Sequence, residues 1–476
     1  MNEGARLKRR LPPFQIGSDY SLNNNDKLIS EIKKYTSKNN LAYVRSFGCQ
    51  LNVSDGEKIK GLLKKMGYEF TEDESLADII VLNTCAVREN AEDRVFGIVG
   101  GMKRLKEKKP SLIIAVAGCM TAQEHIAERI KKSYPQVNIV VGTSAINSFP
   151  ALLLDCLEGQ KFSADIKEYD DFSEAAEQVR ESTFKASVPI MFGCNNFCTY
   201  CIVPYVRGRE KSRRPDDIIN EIRQLVNDGY REIMLLGQNV NSYGNDLDGD
   251  INFPKLLRRI NEIDGDFWVR FMSSHPKDAS HELIDTIFEC NKICRHLHLP
   301  VQSGSNEILK KMNRNYTAEK YLSIVEYIRE KDPEFSLTTD IIVGFPNETE
   351  EDFQATLDMM NKVRYDNIYS FIYSRRSGTK ASDMNDLTDE KTKGIRMRRL
   401  LELQRNISSE HYRRFIGKTM RVLADGKAKK SEGYLTGKSS EFIIVEFEGD
   451  ESLIGQFVDV TITEAMNWAV KGVINA

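Results

Sequence analysis

Short apolar runs alternate with amphipathic stretches in the first part of the chain, and this alternation predicts its elements. Segments of helical periodicity separate four apolar runs, at 41–47, 78–83, 112–117 and 138–141. Ser54, followed three residues later by Glu57, predicts the start of one helix, and Gly67 predicts its end. Strands alternating with helices are typical of a doubly wound parallel sheet, so we expect an α/β domain here.

A second series of apolar runs predicts six further strands with helices between them. They lie at 187–192, 231–236, 267–272, 296–300, 336–343 and 367–373. The clearest helix is 215–228, with Pro215 in its first turn and Gly229 after its end. Six βα units are two fewer than the eight of a conventional barrel, so we expect a partial (β/α)6 barrel with an open side.

The last part of the chain changes to β-forming residues. After a helical segment at 388–411 come five short runs, at 418–424, 432–437, 441–447, 455–463 and 468–474. Gly-bearing turns between such strands predict a small antiparallel β-barrel of the oligonucleotide-binding kind.

These patterns predict three domains with connecting segments. The expected divisions are a poorly ordered N-terminal segment 1–40, an α/β domain 41–158, an acidic linker 159–182, a partial barrel 183–412 and a C-terminal β-barrel 413–476.

Charge changes the picture only locally. A formal net charge of −3 argues by itself against a nucleic-acid binder. The segment 391–430, however, holds thirteen Lys and Arg against three Asp and Glu, and 207–214 holds five Lys and Arg against Glu210 alone. A charge run is usually a solvated surface, but two such patches leave a polyphosphate partner open.

The sequence contains neither an apolar stretch of bilayer length nor a secretory signal, so we expect a cytoplasmic protein with no membrane partner. In a reducing compartment the nine cysteines are thiolates, metal ligands or core residues rather than disulfides.

Three cysteines form the strongest motif. Cys194, Cys198 and Cys201 follow the first strand of the second domain with C-x3-C-x2-C spacing. Three thiolates so spaced can hold one corner of an iron–sulfur cube and leave its fourth iron without a protein ligand. Structural zinc would require a fourth ligand, and no His or Cys lies nearby at zinc-finger spacing.

A second set of cysteines is dispersed. Cys49, Cys85 and Cys119 each come directly after an apolar run of the first domain. The loops after parallel strands meet at one edge of the sheet, so the three thiols are expected to converge and could hold a second cluster. Taken singly, each cysteine would more often fill a core.

The triplet at the start of a partial barrel resembles the radical S-adenosylmethionine (SAM) superfamily. The resemblance implies that the open iron binds SAM, whose reductive cleavage gives a 5′-deoxyadenosyl radical. It places Tyr200 beside the adenine, and Gln238 and Asn239 where the superfamily often has Gly-Gly-Glu to receive the amino group. His275, at the barrel mouth, is a further candidate for contact with SAM, although a hydrogen-bonded structural histidine is the alternative.

The two cysteine triads together with the C-terminal barrel resemble the methylthiotransferase family from about residue 41 onward. In that family the C-terminal domain is a TRAM domain that binds RNA. The resemblance implies two [4Fe–4S] clusters, each with three Cys ligands, and a sulfur atom delivered from the auxiliary cluster, with no catalytic residue beyond the cluster ligands. One SAM methylates a cluster sulfide, and a second yields the radical.

The segments 193–213, 236–244, 273–276 and 297–305 are most similar to the subgroup that modifies C2 of N6-isopentenyladenosine beside the anticodon. This implies three partners: the anticodon stem-loop of tRNA, an electron donor such as flavodoxin or ferredoxin, and a sulfur donor. Two alternatives stay open, the same reaction on N6-threonylcarbamoyladenosine and a non-catalytic iron–sulfur protein that binds RNA. A paralogue that modifies a ribosomal protein would leave the basic run without a partner.

Several residues complete the predictions. Basic side chains expected to contact tRNA phosphates are Arg207, Arg209, Arg213, Arg214, Lys427, Lys429 and Lys430. We interpret Cys156, Cys290 and Cys294 as core residues. His296 and His298 are two residues apart on one predicted strand, so they share a face. One face of that strand points into the barrel.

Overall fold

The computed structural model describes residues 25–36, 39–86, 89–169, 178–429 and 431–475. The chain divides into two compact units, the first ending at Val179 and the second beginning at Arg180. Among the described residues, none of the helices combines the length and the apolarity needed to cross a bilayer.

The first unit is built on a six-stranded sheet in which every pair of neighbours is parallel. Its strands are β1 (Leu41–Ser46), β2 (Glu69–Phe70), β3 (Ile79–Thr84), β4 (Ile113–Gly118), β5 (Ile139–Val141) and β6 (Ser163–Asp165). The order across the sheet is β2-β1-β3-β4-β5-β6. The strands β3 and β4 are buried along their whole length, as expected for the centre of a sheet covered on both faces.

Helices cover both faces of this sheet. They are α1 (Asn25–Tyr35), α2 (Gln50–Lys65), α3 (Glu89–Gly101), α4 (Lys103–Lys108), α5 (Glu124–Ser133) and α6 (Phe149–Leu157). One apolar core contains Ile59 of α2 and Leu152 of α6, and a second contains Phe96 of α3 and Ile126 of α5. Two cores on opposite faces confirm the doubly wound α/β fold.

The structure corrects two predicted segments. The segment expected to be poorly ordered contains α1, because Ile29 and Ile32 lie one turn apart and bury against the first core; residues 1–24 lie outside the described residues. The expected linker contributes β6, which pairs with β5.

The start of α2 was also predicted wrongly. The helix begins at Gln50 with Cys49 at its N-cap, and Ser54 is buried inside it. Asn52 explains the difference, because its side-chain amide donates to the carbonyl of Phe47 (2.6 Å) and so holds the first turn against the preceding loop. The predicted end was correct, since Gly67 follows the C-cap with φ = 91°.

The second unit contains a partial barrel. Its strands are β7 (Lys185–Pro189), β8 (Met191–Phe192), β9 (Lys211–Ser212), β10 (Glu232–Leu236), β11 (Trp268–Phe271), β12 (His296–His298), β13 (Ser336–Val343) and β14 (Asn367–Ile372). The short strands β8 and β9 pair with each other as an antiparallel ribbon. Two parallel sheets, β7-β10-β11 and β12-β13-β14, are joined by a parallel bridge between Val269 and Ile293. Among the described residues β14 forms no ladder with β7, so the predicted (β/α)6 barrel with an open side is confirmed.

The helices of this unit pack mainly on the outside of the barrel. They are α7 (Val203–Val206), α8 (Pro215–Asn227), α9 (Phe253–Asn261), α10 (His281–Glu289), α11 (Asn306–Lys311), α12 (Ala318–Lys331), α13 (Glu350–Val363) and α14 (Glu390–Arg413). The helix α8 has Pro215 in its first turn, as predicted.

Five strands at the C-terminus form a closed barrel in the order β15-β16-β17-β19-β18. They are β15 (Thr419–Lys427), β16 (Tyr434–Ser439), β17 (Ile444–Glu448), β18 (Phe457–Ala465) and β19 (Val470–Ile474). The predicted small antiparallel barrel is confirmed, and one of its pairs, β17 with β19, is parallel. A closed ring with an odd number of strands cannot alternate direction throughout, so at least one parallel pair is unavoidable.

The C-terminal barrel packs on the strands of the partial barrel at their amino ends. Trp268, the first residue of β11, meets Phe457 edge to face at 4.7 Å, and Phe442 stacks on His296, the first residue of β12, at 4.8 Å. Arg270 donates to the carbonyl of Ser439 (2.7 Å). The C-terminal barrel therefore lies at the end of the partial barrel opposite to the loops that follow its strands.

Candidate active site

The loop that carries Cys194, Cys198 and Cys201 follows β8, and a glycine sets its direction. Gly193 has φ = 71°, and a Cβ atom there would lie 1.9 Å from the carbonyl oxygen of Arg209. Only glycine combines that conformation with that close approach. The backbone N–H of Cys194 then donates to the carbonyl of Gly208 (3.1 Å), which fixes the start of the loop.

The residues after α11 hold the rest of this loop. The backbone N–H of Thr199 donates to the carbonyl of Met312 (3.0 Å). The side-chain amide of Asn313 donates to the carbonyls of Asn196 and Phe197 at 3.1 Å each. Phe197 itself has φ = 47°, and the guanidinium of Arg209 covers its ring. These contacts with other protein residues fix the conformation of the cysteine loop.

The three thiols of the loop lie within electrostatic range of one another. The pKa of Cys194 is raised to about 11 and that of Cys201 to about 12, in both cases chiefly by burial, with Cys198 adding to the effect. None of the three forms a disulfide. Among the described residues, no group of three or more His, Cys, Asp or Glu side chains is placed so that it could hold a single metal ion.

Arg314 lies beside this triad and was not predicted. Its buried guanidinium donates to Sγ of Cys198 (3.4 Å), to Oη of Tyr316 through Nε (3.0 Å) and to the carbonyl of Pro300 (2.9 Å). The guanidinium therefore places a buried positive charge against the sulfur atom of a predicted cluster ligand. The available signal was Asn313-Arg314-Asn315, since asparagine tolerates the positive φ that both asparagines adopt.

The residues predicted to lie near SAM show unsatisfied polar atoms. Buried side-chain atoms with no hydrogen-bond partner include Gln238 Oε1, Asn239 Oδ1, Asn241 Oδ1, Ser274 Oγ and His275 Nε2. All belong to the loops after β10 and β11. Buried polar atoms are normally paired, so this set fits a polar ligand such as SAM.

His275 has a defined environment. Its Nδ1 accepts the backbone N–H of Lys277 (3.2 Å), and its pKa is lowered to about 2 by burial and by the charges of Arg314 and Lys277. The ring is therefore neutral and carries its proton on Nε2, the atom without a partner. Tyr200 packs against the apolar cluster that contains Met312 and Phe345.

Cys49, Cys85 and Cys119 follow β1, β3 and β4, which are neighbours in the first sheet. A Cβ atom on Gly48 would lie 2.3 Å from Cβ of Cys85, and the N–H of Cys119 donates to the carbonyl of Thr84 (3.0 Å). Cys85 and Cys119 are buried and Cys49 is exposed. The structure thus brings the three loops together at one edge of the sheet, as the spacing predicted.

Two buried asparagines that were not predicted hold these loops. The side-chain amide of Asn52 donates to the carbonyls of Phe47 and Asn83, and that of Asn83 donates to Ser46 Oγ (3.3 Å). Asn52 Oδ1, Ser54 Oγ and Asn83 Oδ1 are buried without a hydrogen-bond partner. Unsatisfied acceptors and a hydroxyl group near this edge fit an additional polar group there.

The other three cysteines lie in apolar surroundings. Cys290 belongs to the core of the partial barrel, and Cys294 packs with Trp268 and Leu423. Burial raises the pKa of Cys156 to about 12, so its thiol is protonated at neutral pH.

The predicted RNA-contacting residues differ in their exposure. Arg209, Arg214, Lys427 and Lys429 are exposed, whereas Arg207 is buried. Arg213 is bound to Glu221 (2.7 Å) and to the carbonyl of Pro189 (2.7 Å). Lys430 lies outside the described residues.

The basic run 391–430 is largely neutralised by acids from outside it. The ion pairs are Lys393–Asp386, Lys393–Glu390, Arg396–Glu348, Arg396–Glu350, Arg399–Glu350, Arg414–Asp366, Lys418–Glu334, Arg421–Asp266 and Lys427–Glu451. On α14, Lys391, Arg398, Arg405 and Arg413 are exposed and form no ion pair with any described residue. Spacings of seven, seven and eight residues place all four on one face of the helix.

Three family models match the chain. The Radical SAM superfamily model matches residues 188–360, the model of uncharacterized protein family UPF0004 matches residues 41–142, and the TRAM domain model matches residues 413–474. The three matches correspond to the barrel, the first unit and the closed C-terminal barrel.

Relatives match nearly the whole chain. A tRNA-2-methylthio-N6-dimethylallyladenosine synthase of Thermoanaerobacter pseudethanolicus is 51% identical over 96% of this chain and 97% of its own length. One of Acetivibrio thermocellus is 46% identical over 100% of both chains.

A solved structure supports the fold. The radical S-adenosylmethionine methyltransferase TsrM of Kitasatospora setae matches 73% of this chain and 75% of its own, with a TM-score of 0.53 and 15% identity. At that identity the match shows the fold alone. The full-length sequence relatives and the family models show that the chain belongs to the tRNA-2-methylthio-N6-dimethylallyladenosine synthase family of radical SAM enzymes, a family that implies SAM and a [4Fe–4S] cluster.

Proposed function

We propose that this protein transfers a methylthio group to C2 of N6-isopentenyladenosine beside the anticodon of tRNA. Cys194, Cys198 and Cys201 hold the [4Fe–4S] cluster that binds SAM, and Cys49, Cys85 and Cys119 hold an auxiliary [4Fe–4S] cluster. The relatives are tRNA-2-methylthio-N6-dimethylallyladenosine synthases, which supports this substrate.

The convergence of the second triad carries this proposal. Its cysteines end three adjacent parallel strands, and Gly48 lets the first loop approach Cys85 more closely than any side chain would allow. A radical enzyme that only removes hydrogen has no need of a second three-cysteine site. A sulfur-transferring enzyme needs a place from which sulfur is delivered.

When bound, SAM and the two clusters supply sulfur and the one-electron chemistry that breaks an unactivated C–H bond, for which no side-chain base is strong enough. The protein supplies positions and charges. Arg314 holds positive charge beside Cys198, and the neutral ring of His275 offers its Nε2 proton to a polar acceptor. Gln238 and Asn239 offer acceptors to an ammonium group.

The partners follow from the charge distribution and the chemistry. The exposed basic face of α14 and the exposed Arg209, Arg214, Lys427 and Lys429 are suited to tRNA phosphates. Reductive cleavage requires an electron donor such as flavodoxin or ferredoxin, and repeated turnover requires a sulfur donor.

The test uses the full chain with iron and sulfide reconstituted anaerobically. It is incubated with SAM, dithionite and stem-loops carrying isopentenyladenosine or threonylcarbamoyladenosine, and nucleosides are measured by mass spectrometry. We expect 2-methylthio product from the isopentenylated RNA. Cys85→Ala should form 5′-deoxyadenosine without that product, and Cys290→Ala, a buried cysteine of the barrel core, should keep both. Absence of product from the isopentenylated RNA with the intact protein would contradict the proposal.

A further inference from the structure

One face of the second sheet of the partial barrel is lined by side chains to which no role has yet been given. Leu337, Ile341 and Val343 of β13 belong to the core formed with the outer helices. Because side chains alternate along a strand, Thr338, Asp340 and Ile342 point into the barrel. Their parallel partners on β14 are Asn367, Tyr369 and Phe371.

Two of these side chains are aromatic and exposed. Tyr369 is 36% and Phe371 46% exposed, on the strand that borders the open side of the barrel. The opposite face of the neighbouring β13 is fully packed. Adjacent exposed aromatic rings on a concave surface are typical of a ligand-binding site.

A chain of hydrogen bonds reaches the same position. Nε2 of His298 faces Oδ1 of Asp340 at 3.5 Å, while Thr338 Oγ1 lies 3.0 Å from Nδ1 of His298 and 2.8 Å from Nε2 of His296. With the proton of His298 on Nε2 toward the carboxylate, Thr338 donates to Nδ1 and accepts from His296. These hydrogen bonds fix the orientation of the His298 ring. They leave the other carboxylate oxygen of Asp340 to accept a hydrogen bond from a ligand.

The position along the barrel axis also fits a substrate. Toward the amino ends of the strands the interior is closed by His296, on which Phe442 stacks. Toward the carboxyl ends, Ile342 and Tyr200, the residue before Cys201, pack against the same apolar cluster, which contains Met312 and Phe345. Asp340, two residues before Ile342, lies about 7 Å from it along the strand. The row His298–Asp340–Tyr369 therefore lies between the closed end of the barrel and the cysteine loop.

We propose that Tyr369 and the His298–Asp340 pair bind the target base of the RNA. This inference rests on the proposed function and names the residues that select its substrate. Tyr369 stacks on the base, because aromatic rings bind unstacked bases in this way. Asp340 accepts the N6–H of the adenine, a donor that prenylation retains, as carboxylates accept exocyclic N–H groups elsewhere.

The same row explains the choice of N6 substituent. Among the described residues, His298 is the only basic side chain within ion-pairing distance of Asp340. A threonylcarbamoyl group would bring a second carboxylate close to Asp340, and like charges in a partly buried site repel. An isopentenyl group is uncharged and apolar, as are the neighbouring Phe371 and Ile342 side chains.

The experiment measures binding rather than turnover. The full reconstituted chain is titrated, without reductant, with fluorescent anticodon stem-loops carrying isopentenyladenosine, threonylcarbamoyladenosine or unmodified adenosine. Tyr369→Leu and Asp340→Asn are compared with the wild type. Tyr35→Leu and Asp264→Asn are matched controls at exposed positions outside the barrel interior. Circular dichroism and iron content establish that each variant is folded and loaded.

We expect the wild type to bind the isopentenylated RNA more tightly than the unmodified RNA. Tyr369→Leu should weaken binding of the isopentenylated RNA about tenfold, within the range that base stacking supplies. Asp340→Asn should reduce the difference between the isopentenylated and threonylcarbamoylated RNAs, and the controls should match the wild type.

Folded Tyr369 and Asp340 variants that keep wild-type affinities for all three RNAs would overturn this inference and leave the proposed function standing. Tighter wild-type binding of the threonylcarbamoylated RNA would overturn both. Methylthiolation of isopentenylated RNA by the wild type, measured separately, distinguishes failure of the binding site from failure of the function.

Discussion

Single residues decide the local geometry of both cysteine sites. In the first unit, Gly48 lets two loops meet beside Cys85, and in the second Arg314 joins the cysteine loop to the segments around Pro300 and Tyr316. Neither residue carries out chemistry. Gly48 sets where a thiol lies, and Arg314 sets the charge beside one.

Gly48→Ala should disturb the auxiliary site alone. The new Cβ would overlap Cys85 at 2.3 Å, and φ = 100° would be strained as well. Gly159→Ala is the control, because Gly159 has φ = 105° with nothing within 4 Å of the added atom. We expect iron to fall from about eight to about four atoms per chain in Gly48→Ala and to stay near eight in Gly159→Ala. Equal iron contents would mean that the close approach is unimportant.

Arg314→Met should weaken the cysteine loop of the second unit. The substitution removes the hydrogen bond from the guanidinium to the carbonyl of Pro300, which as a bond from a charged donor contributes about 1.5–3 kcal/mol, and it removes the positive charge beside Cys198. The Tyr316 hydroxyl still donates to that carbonyl at 3.3 Å. We expect a lower unfolding midpoint and slower iron uptake by this site. Arg223→Met, on the exposed surface of α8, should change neither. Unchanged iron uptake in Arg314→Met would contradict the role of the charge.

At the scale of elements, the strands were predictable and several termini were not. Buried strands are continuous apolar runs, so their positions are visible in the sequence. The start of α2 depends on Asn52 binding a carbonyl in the preceding loop, and the parallel pair of β17 and β19 depends on closure of the ring. Both are tertiary effects that periodicity does not contain.

The candidate sites were predictable to a similar degree. All six proposed cluster cysteines follow strands, so the topology indicated where they meet. Asn52 and Asn83 were missed, because an isolated asparagine has no spacing that marks it. Arg314 was missed although the two asparagines that flank it were a signal. The charge count indicated a basic patch at 391–430, whereas seven of its side chains pair with acids, six of them with acids more than 20 residues away in sequence.

The helix α14 is expected to contact RNA through its exposed basic face. Replacing Lys391, Arg398 and Arg405 together by Gln should weaken tRNA binding and reduce the slope of log Kd against log salt by about two to three. The control replaces the ion-paired Arg399, Lys418 and Arg421 by Gln and removes the same formal charge. We expect a smaller change of slope there. Equal slopes in the two triple variants would show that the face makes no specific contact.

At the scale of the whole second unit, the C-terminal barrel, which matches the TRAM domain, has two roles. It carries the exposed Lys427 and Lys429, and it closes the amino end of the partial barrel. Its removal would uncover Trp268, Cys294 and His296 and take the Ser439 carbonyl away from the buried guanidinium of Arg270. Truncation is therefore expected to act on stability as well as on RNA binding.

Deleting 413–476 should lower the unfolding midpoint of the remaining chain and increase binding of a dye specific for exposed apolar surface. The double variant Lys427→Gln, Lys429→Gln should leave both unchanged and reduce only the affinity for tRNA. An unchanged midpoint after the deletion would show that the packing against Trp268 contributes little.

The missing ladder between β14 and β7 has a consequence for the kind of substrate the enzyme can use. A closed barrel is reached only through its ends, so a long polymer would have to present a terminus. A seam along the side accepts a single nucleotide from the middle of a folded chain while the sugar–phosphate backbone stays outside. The enzyme can therefore act on a folded, full-length tRNA without passing an end of the RNA through the barrel. The product can be released through the same open side.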